Sequence, residues 1–296
     1  MNKVNFSHFY AWGIVPDYAI LNVMLEFADN GAKNLVFNEN IGFKSLDNED
    51  FYKNFLHSLK TAGLNLCGCH GLYSLIYDLN ETDPDARQKM IAGHKKIMTY
   101  ASEAGSRTYT VHIGAKRENA TIEQLRQLTI DSLEQLIPTA EKNNMIIAVE
   151  NATDPTNTAD EVLYYLDYFK TETLGCCLDV GHANIMTAGP GKEISKFSPP
   201  IQKAWQGLDI KLYDDVTAKL APHIVVSHLH DNDGFDDRHK LPGYGTVNWE
   251  KLMPQLLSCP RLLNLENEAS PVMFPASIRK HCETYHDLIR KYGLLP

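Results

Sequence analysis

Six side chains able to bind a metal end six apolar runs of this 296-residue chain: His70, His112, Glu150, Asp179, His228 and Glu266. The runs read LNLCGCH, RTYTVH, MIIAVE, TLGCCLD, PHIVVSH and LLNLE. Imidazoles and carboxylates gathered at one point suit a divalent cation. Two glutamates beside such a cation suit removal of a proton from a carbon next to a carbonyl and its return, through an enediolate. A carboxylate that ends an apolar strand must in any case find a partner.

Convergence of these side chains requires parallel strands that open on one mouth. Apolar or period-two runs predict strands at Val4 to Phe9, Asn34 to Phe37, Asn65 to His70, Arg107 to His112, Met145 to Glu150, Leu174 to Asp179, Ile224 to His228 and Leu262 to Glu266. Helical periodicity predicts helices at Asp17 to Asp29, Asp50 to Ala62, Asp85 to Ala104, Ile122 to Asn143, Ala159 to Phe169, Ile210 to Leu220, Trp249 to Leu257 and Pro275 to Tyr292. Glycines at 31, 63 and 105 close three of them. This alternation predicts a single-domain (β/α)8 barrel over 1–296, whose active sites sit at the carboxyl ends of the strands. A doubly wound open sheet would carry a Gly-rich turn after its first strand, where this chain has HisPheTyrAlaTrpGly. The turn-rich stretch 187–208, with Trp205, is too long for an ordinary loop and is placed over the mouth or at an oligomer contact.

Several motifs admit two readings. In LeuAspValGlyHis, Asp179 is a ligand or a helix N-cap, and His182 a ligand or a substrate contact. In HisLeuHisAspAsn, His228 and His230 share a face, with His228 nearer the strand and His230 beyond the pocket. AspArgHis at 237–239 follows a ligand-bearing strand and so joins the candidates. LeuGluAsnGlu at 265–268 supplies Glu266 as the second carboxylate. His70 and His112 read equally as ligands or as satisfied histidines at the mouth. His8, which ends the first strand, and Trp12 are placed as substrate contacts.

A net charge of −9 argues against a protein that grips nucleic acid over a wide surface. The first residues lack a basic leader followed by an apolar region, and no run approaches the roughly 18 apolar residues of a membrane span. Six cysteines without a C-x-x-C pattern read as buried thiols in a reducing compartment. Together these predict a soluble cytoplasmic protein that acts on a small molecule, with a homo-oligomer as one assembly.

The wording of the motifs resembles the xylose isomerase-like TIM barrels, from about His70 to the C terminus. That superfamily holds sugar and sugar-phosphate isomerases and epimerases, and also the endonuclease IV type of abasic-site nuclease. The resemblance rests on ValGluAsn, LeuAspValGlyHis, HisLeuHisAspAsn, AspArgHis with ProGlyTyrGlyThrValAsnTrp, and LeuGluAsn. The epimerase branch implies one divalent metal, manganese, zinc or magnesium, held by Glu150, Asp179, His228 and Glu266. The two glutamates would be the acid/base pair, with His182 and Arg238 touching substrate. The nuclease branch implies three zinc ions on His70, His112, Glu150, Asp179, His182, His228, Asp237, His239 and Glu266. The acidic charge, the isomerase-like wording and the 187–208 stretch favour a sugar or sugar-phosphate isomerase or epimerase. The alternatives are the nuclease-like phosphodiesterase and a metal-dependent dehydratase of a cyclitol or keto sugar.

Overall fold

The computed structural model describes residues 4–73, 76–270, 273 and 275–294. Eight parallel strands close in sequence order: β1 Asn5–His8, β2 Asn34–Phe37, β3 Asn65–His70, β4 Thr108–Val111, β5 Ile146–Glu150, β6 Leu174–Asp179, β7 Ile224–Leu229 and β8 Asn264–Asn267. β1 pairs with β8, so no strand edge is left open. The result is a single-domain (β/α)8 barrel.

The surrounding helices are α1 Ile20–Asp29, α2 Glu39–Asp47, α3 Glu49–Thr61, α4 Pro84–Glu103, α5 Ile122–Lys142, α6 Ala159–Phe169, α7 Val180–Met186, α8 Pro199–Ala204, α9 Val216–Leu220, α10 Trp249–Leu257 and α11 Ile278–Lys291. Local chemistry starts and stops them. Thr121 and Gln124 form a reciprocal capping box on α5, and Asp83 caps α4, whose first residue is Pro84. Gly31, Gly63 and Gly105 take positive φ just past α1, α3 and α4, which a side chain would resist.

One apolar cluster fills the space between strands and helices, while Ala148, Cys177, Val225 and Val226 form a separate small one. Along β5, β6 and β7 the residues two positions beyond Ala148, Cys177 and Val226 are Glu150, Asp179 and His228, because strand side chains alternate in direction. Polar groups therefore replace the apolar ones toward the carboxyl ends of these strands.

The stretch 187–208 packs against loops at the mouth end of the barrel but adds no residue to the described cavity wall. Trp205 is buried and donates from Nε1 to the Thr153 carbonyl at 2.7 Å, and Phe197 packs on Phe235. Lys192 Nζ bonds the carbonyls of Asn184 and Ile185 at 2.9 and 2.8 Å. Apolar side chains inside a turn-rich sequence bind this segment to the loops that follow β5 and β7. The helix expected from Ile210 starts only at Val216, where the Asp215 carboxylate caps Ala218 N, because Tyr213 pairs in extended form with Thr187.

Acid should weaken this fold through histidines outside the mouth. Burial holds His94 below its ordinary 6.5, at about 4, and burial followed by His286 holds His281 at about 3. The unfolded chain takes up these protons first, so the stability they contribute is complete above pH 6.5 and is lost as pH falls toward the folded values. For His94 the loss between pH 6.5 and 4 is about 3 kcal/mol. Melting temperature should therefore fall steadily between pH 7 and 4, and His94→Gln should flatten that slope; an unchanged slope would remove His94 from the account.

Candidate metal centre

The mouth holds a cavity of about 340 Å³ whose wall includes His70, His112, Glu150, His182, Asp237, His239 and Glu268. Overlapping groups of ligand atoms lie there. In the first, His70 Nε2 and His112 Nε2 stand 3.5 and 3.3 Å from Glu150 Oε2. In the second, His228 Nδ1 is 3.5 Å from Glu150 Oε2 and 3.1 Å from Glu268 Oε2, and Asp179 joins His228 and Glu268 as a possible ligand group. In the third, His182 Nε2 and His239 Nε2 are 3.3 and 3.1 Å from Asp237 Oδ2.

The imidazoles are held in one orientation. His70 Nδ1 faces the Gly71 carbonyl, His182 Nδ1 the Asn151 carbonyl, and His239 Nδ1 the Glu268 carbonyl, each at 3.0 Å. A nitrogen facing a carbonyl must carry the hydrogen, so each neutral ring turns the lone pair of Nε2 toward a carboxylate oxygen. A lone pair facing a carboxylate is stable only with a proton or a cation between them. Buried Glu150 Oε2, His228 Nδ1, Asp237 Oδ1 and Glu268 Oε2 have no hydrogen-bond partner, so the donor set fits a divalent metal.

Charge follows the same pattern. Burial opposes ionisation of Glu150, yet His112 and His228 outweigh it and hold the carboxyl well below the usual range. Burial likewise opposes ionisation of Asp237, and His182 and His239 overcome it. Burial would lower His239, but Asp237 lifts it to about 10. Glu39, also in the cavity wall, is pushed up by burial.

The motif glycines provide space. A Cβ on Gly181 would collide with the His230 ring, and one on Gly68 with the Glu266 carboxylate. His230 is buried, 3.0 Å from both Asp179 oxygens and stacked on His239 at 3.9 Å, so it belongs to the site and not beyond it. Asp179 satisfies both of its expected readings: it caps α7 by accepting from His182 N at 2.6 Å, and it lies within the ligand groups. The ProGlyTyrGlyThrValAsnTrp segment is a clamp. Asp231 accepts from Gly243 N, Val247 N and Trp249 Nε1 at 2.9 to 3.1 Å, which fixes the loop carrying Asp237 and His239. His239 itself has φ +41°, a strained value for a non-glycine residue.

Four expected site residues are placed elsewhere. Glu266 is fully buried and meets His228 at Nε2, 3.5 Å away, on the opposite side of the ring from Glu150 and Glu268. It enters none of the ligand groups among the described residues. Two residues further along the same face, Glu268 reaches the cavity instead, about 6.6 Å nearer the strand ends. His8 is buried behind β1 against Phe27, His281 and His286 and bonds Asn267 at 2.9 Å. Trp12 is buried against Tyr10 and Phe55 and shapes the turn after β1. Arg238 is more than half exposed and pairs with Asp236, because the loop points it to solvent. Neither His8, Trp12 nor Arg238 lines the cavity.

The sequence model described as xylose isomerase-like TIM barrel matches residues 24–259, well over half of the chain. The chain belongs to the xylose isomerase-like TIM barrel family. A relative, the uncharacterized protein MJ1311 of Methanocaldococcus jannaschii, is 25% identical over 201 residues, 64% of this chain and 61% of that protein. The chain thus spans about three fifths of the length of that curated relative. Among solved structures, the 3-keto-D-glucoside 4-epimerase YcjR of E. coli is 14% identical, with 97% of this chain and 100% of that chain covered and a TM-score of 0.72. The IolI protein with a bound zinc atom is 14% identical, with 97% of each chain covered and a TM-score of 0.68. These likenesses establish that the family fold extends over nearly the whole chain. Among the described residues no helix is long and apolar enough to cross a membrane.

Proposed function

We propose that the protein is a metal-dependent isomerase or epimerase of a sugar, moving one proton on a carbon next to a carbonyl through an enediolate. The observation that carries this reading is the pair Glu150 and Glu268: carboxylates from β5 and from just beyond β8, both in the cavity wall and both beside His228 Nδ1. Glu150, Asp179, His228 and Glu268 would hold the divalent ion, with manganese, magnesium and zinc all suited to such a set. A bound cation there polarises the substrate's carbonyl and hydroxyl oxygens and acidifies the C–H between them.

The chain's own groups do the rest. One of Glu150 and Glu268 takes the proton from one face of the substrate, and the other returns it. Glu266 stands 3.5 Å from His228 Nε2, on the side of the ring away from Glu150 and Glu268, where a carboxylate orients a metal-binding histidine. His182, at 3.4 Å from Asp179 and 3.6 Å from Glu150, stands where a substrate hydroxyl would meet the site. The zinc in IolI and the sugar chemistry named for YcjR support the same class.

A second reading has its own support. The His70, His112, Glu150 group and the His182, Asp237, His239 group flank the central one, as three zinc ions for phosphodiester hydrolysis would require. Stripping the protein with a chelator and testing a ketose and aldose panel beside an abasic-site duplex separates the two. The isomerase reading expects sugar turnover that vanishes on chelation and returns with manganese. Strand nicking without sugar turnover, with about three zinc ions per chain, would establish the second reading.

A further inference from the structure

The cavity has a second pole that the proton-transfer chemistry does not use. Asn38, Glu39 and Asn40, which follow β2, and Ser270, which follows β8, all line it. Their placement is built into the fold. Asn38 donates from Nδ2 to the Tyr10 carbonyl at 2.9 Å and caps α2. The Asn40 amide donates to the Glu39 carboxylate, and a Cβ on Gly13 would collide with the Asn40 oxygen, so the turn held by buried Trp12 leaves room for Asn40. Glu39 follows β2, three strands around the barrel from β5 and Glu150, and it is near enough to His70, His112 and Glu268 to feel their charges.

Charge distinguishes what this pole accepts. The described cavity wall contains four acidic side chains, Glu39, Glu150, Asp237 and Glu268, and no lysine or arginine. Nearby cations are engaged elsewhere: Lys44 Nζ bonds Asp17 at 2.8 Å, Lys116 Nζ bonds the Gln206 carbonyl at 2.9 Å, and Arg238 pairs with Asp236. A phosphate carries close to two negative charges and is normally met by arginine, lysine or a cluster of backbone N–H groups. A carboxylate facing it would repel it, whereas a carboxylate accepts hydrogen bonds from sugar hydroxyls well.

We propose that Glu39 is a specificity-determining residue that binds substrate hydroxyls on the β2 side of the cavity, away from Glu150, so that the site takes an unphosphorylated sugar and rejects its phosphate ester. This rests on the isomerase reading. It narrows the substrate to a neutral polyol with a carbonyl at one end and free hydroxyls at the other.

The test uses manganese-loaded protein in D2O, with D-fructose and D-tagatose set against their 6-phosphates, and follows deuterium entry next to the carbonyl by NMR. The free sugars should exceed the phosphates in kcat/KM by at least about tenfold, the scale of one well-made charged contact. Glu39→Ala should raise KM for the free sugar about tenfold with kcat nearly unchanged and should narrow the preference. Glu39→Gln, which keeps a hydrogen-bonding carbonyl, should restore most of the affinity for the free sugar yet still tolerate the phosphate. A purely structural role would lower kcat and melting temperature in both variants alike, and that result overturns the proposal. Faster exchange with the phosphates in the wild-type protein also overturns it and leaves the isomerase reading standing. No exchange with any of the four sugars overturns the isomerase reading, and this proposal with it.

Discussion

Glu150→Gln should lower sugar turnover by about a thousandfold or more, the range expected when an acid/base group and a metal ligand are lost together. One oxygen of this carboxylate stands within 3.3 to 3.5 Å of His70, His112 and His228, and the other is 3.6 Å from His182. No other carboxylate in the site touches so many imidazoles. Glutamine has nearly the same volume, so packing at the end of β5 is preserved, but it neither takes a proton nor balances a cation. Circular dichroism and melting temperature should be close to those of the wild type, while bound metal falls. Loss of less than about tenfold in a correctly folded variant would remove Glu150 from the chemistry.

Glu268→Gln and Glu266→Gln should separate sharply, although both residues come from the same four-letter motif. Glu268 lines the cavity and stands 3.1 Å from His228 Nδ1, so its amide variant should lose turnover on the scale of Glu150→Gln. Glu266 is fully buried, accepts from Asn264 Nδ2 at 3.4 Å and meets His228 at its far nitrogen. Its amide variant retains a group that can hydrogen-bond His228, and the expected loss is about ten- to a hundredfold, as for partners behind a metal ligand. Metal content, read by elemental analysis, should fall more in Glu268→Gln than in Glu266→Gln. The reverse order in both metal content and turnover would return the acid/base role to Glu266.

This contrast also marks how far the sequence could be read. The barrel was legible because eight apolar runs alternate with helical periodicity, and five of the six strand-end ligands lie in the groups that the fold assembles. Period two placed Glu266 and Glu268 on one face, but depth along that face depends on where the strand stands in the barrel, and β8 extends to Asn267. The place of His230 inside the site is hidden for a related reason: Gly181 opens the space it fills, and a glycine in the first turn of α7 carries no signal about whose ring it admits.

Other parts were hidden by tertiary context. GluAsnIleGlyPheLysSerLeuAsp has too weak a periodicity to announce α2, yet Asn38 caps it and it brings Glu39 to the cavity. The stretch 187–208 looks like a loop by its glycines and prolines, and only burial of Ile201 and Trp205 shows that it packs on the barrel. His8 ends the first strand and Trp12 follows it closely. In both cases the chain turns them away from the mouth into the packing around α1 and α3.

The most direct test of the central claim is solvent deuterium entry at the carbon next to the carbonyl of a ketohexose, followed by proton NMR with the manganese-loaded protein in D2O. Proton transfer through Glu150 and Glu268 predicts stereospecific incorporation at that carbon, lost on chelation and in both amide variants. Conversion of the sugar with no deuterium incorporated, or the absence of any exchange with a full ketose and aldose panel while abasic-site DNA is cut, would contradict it.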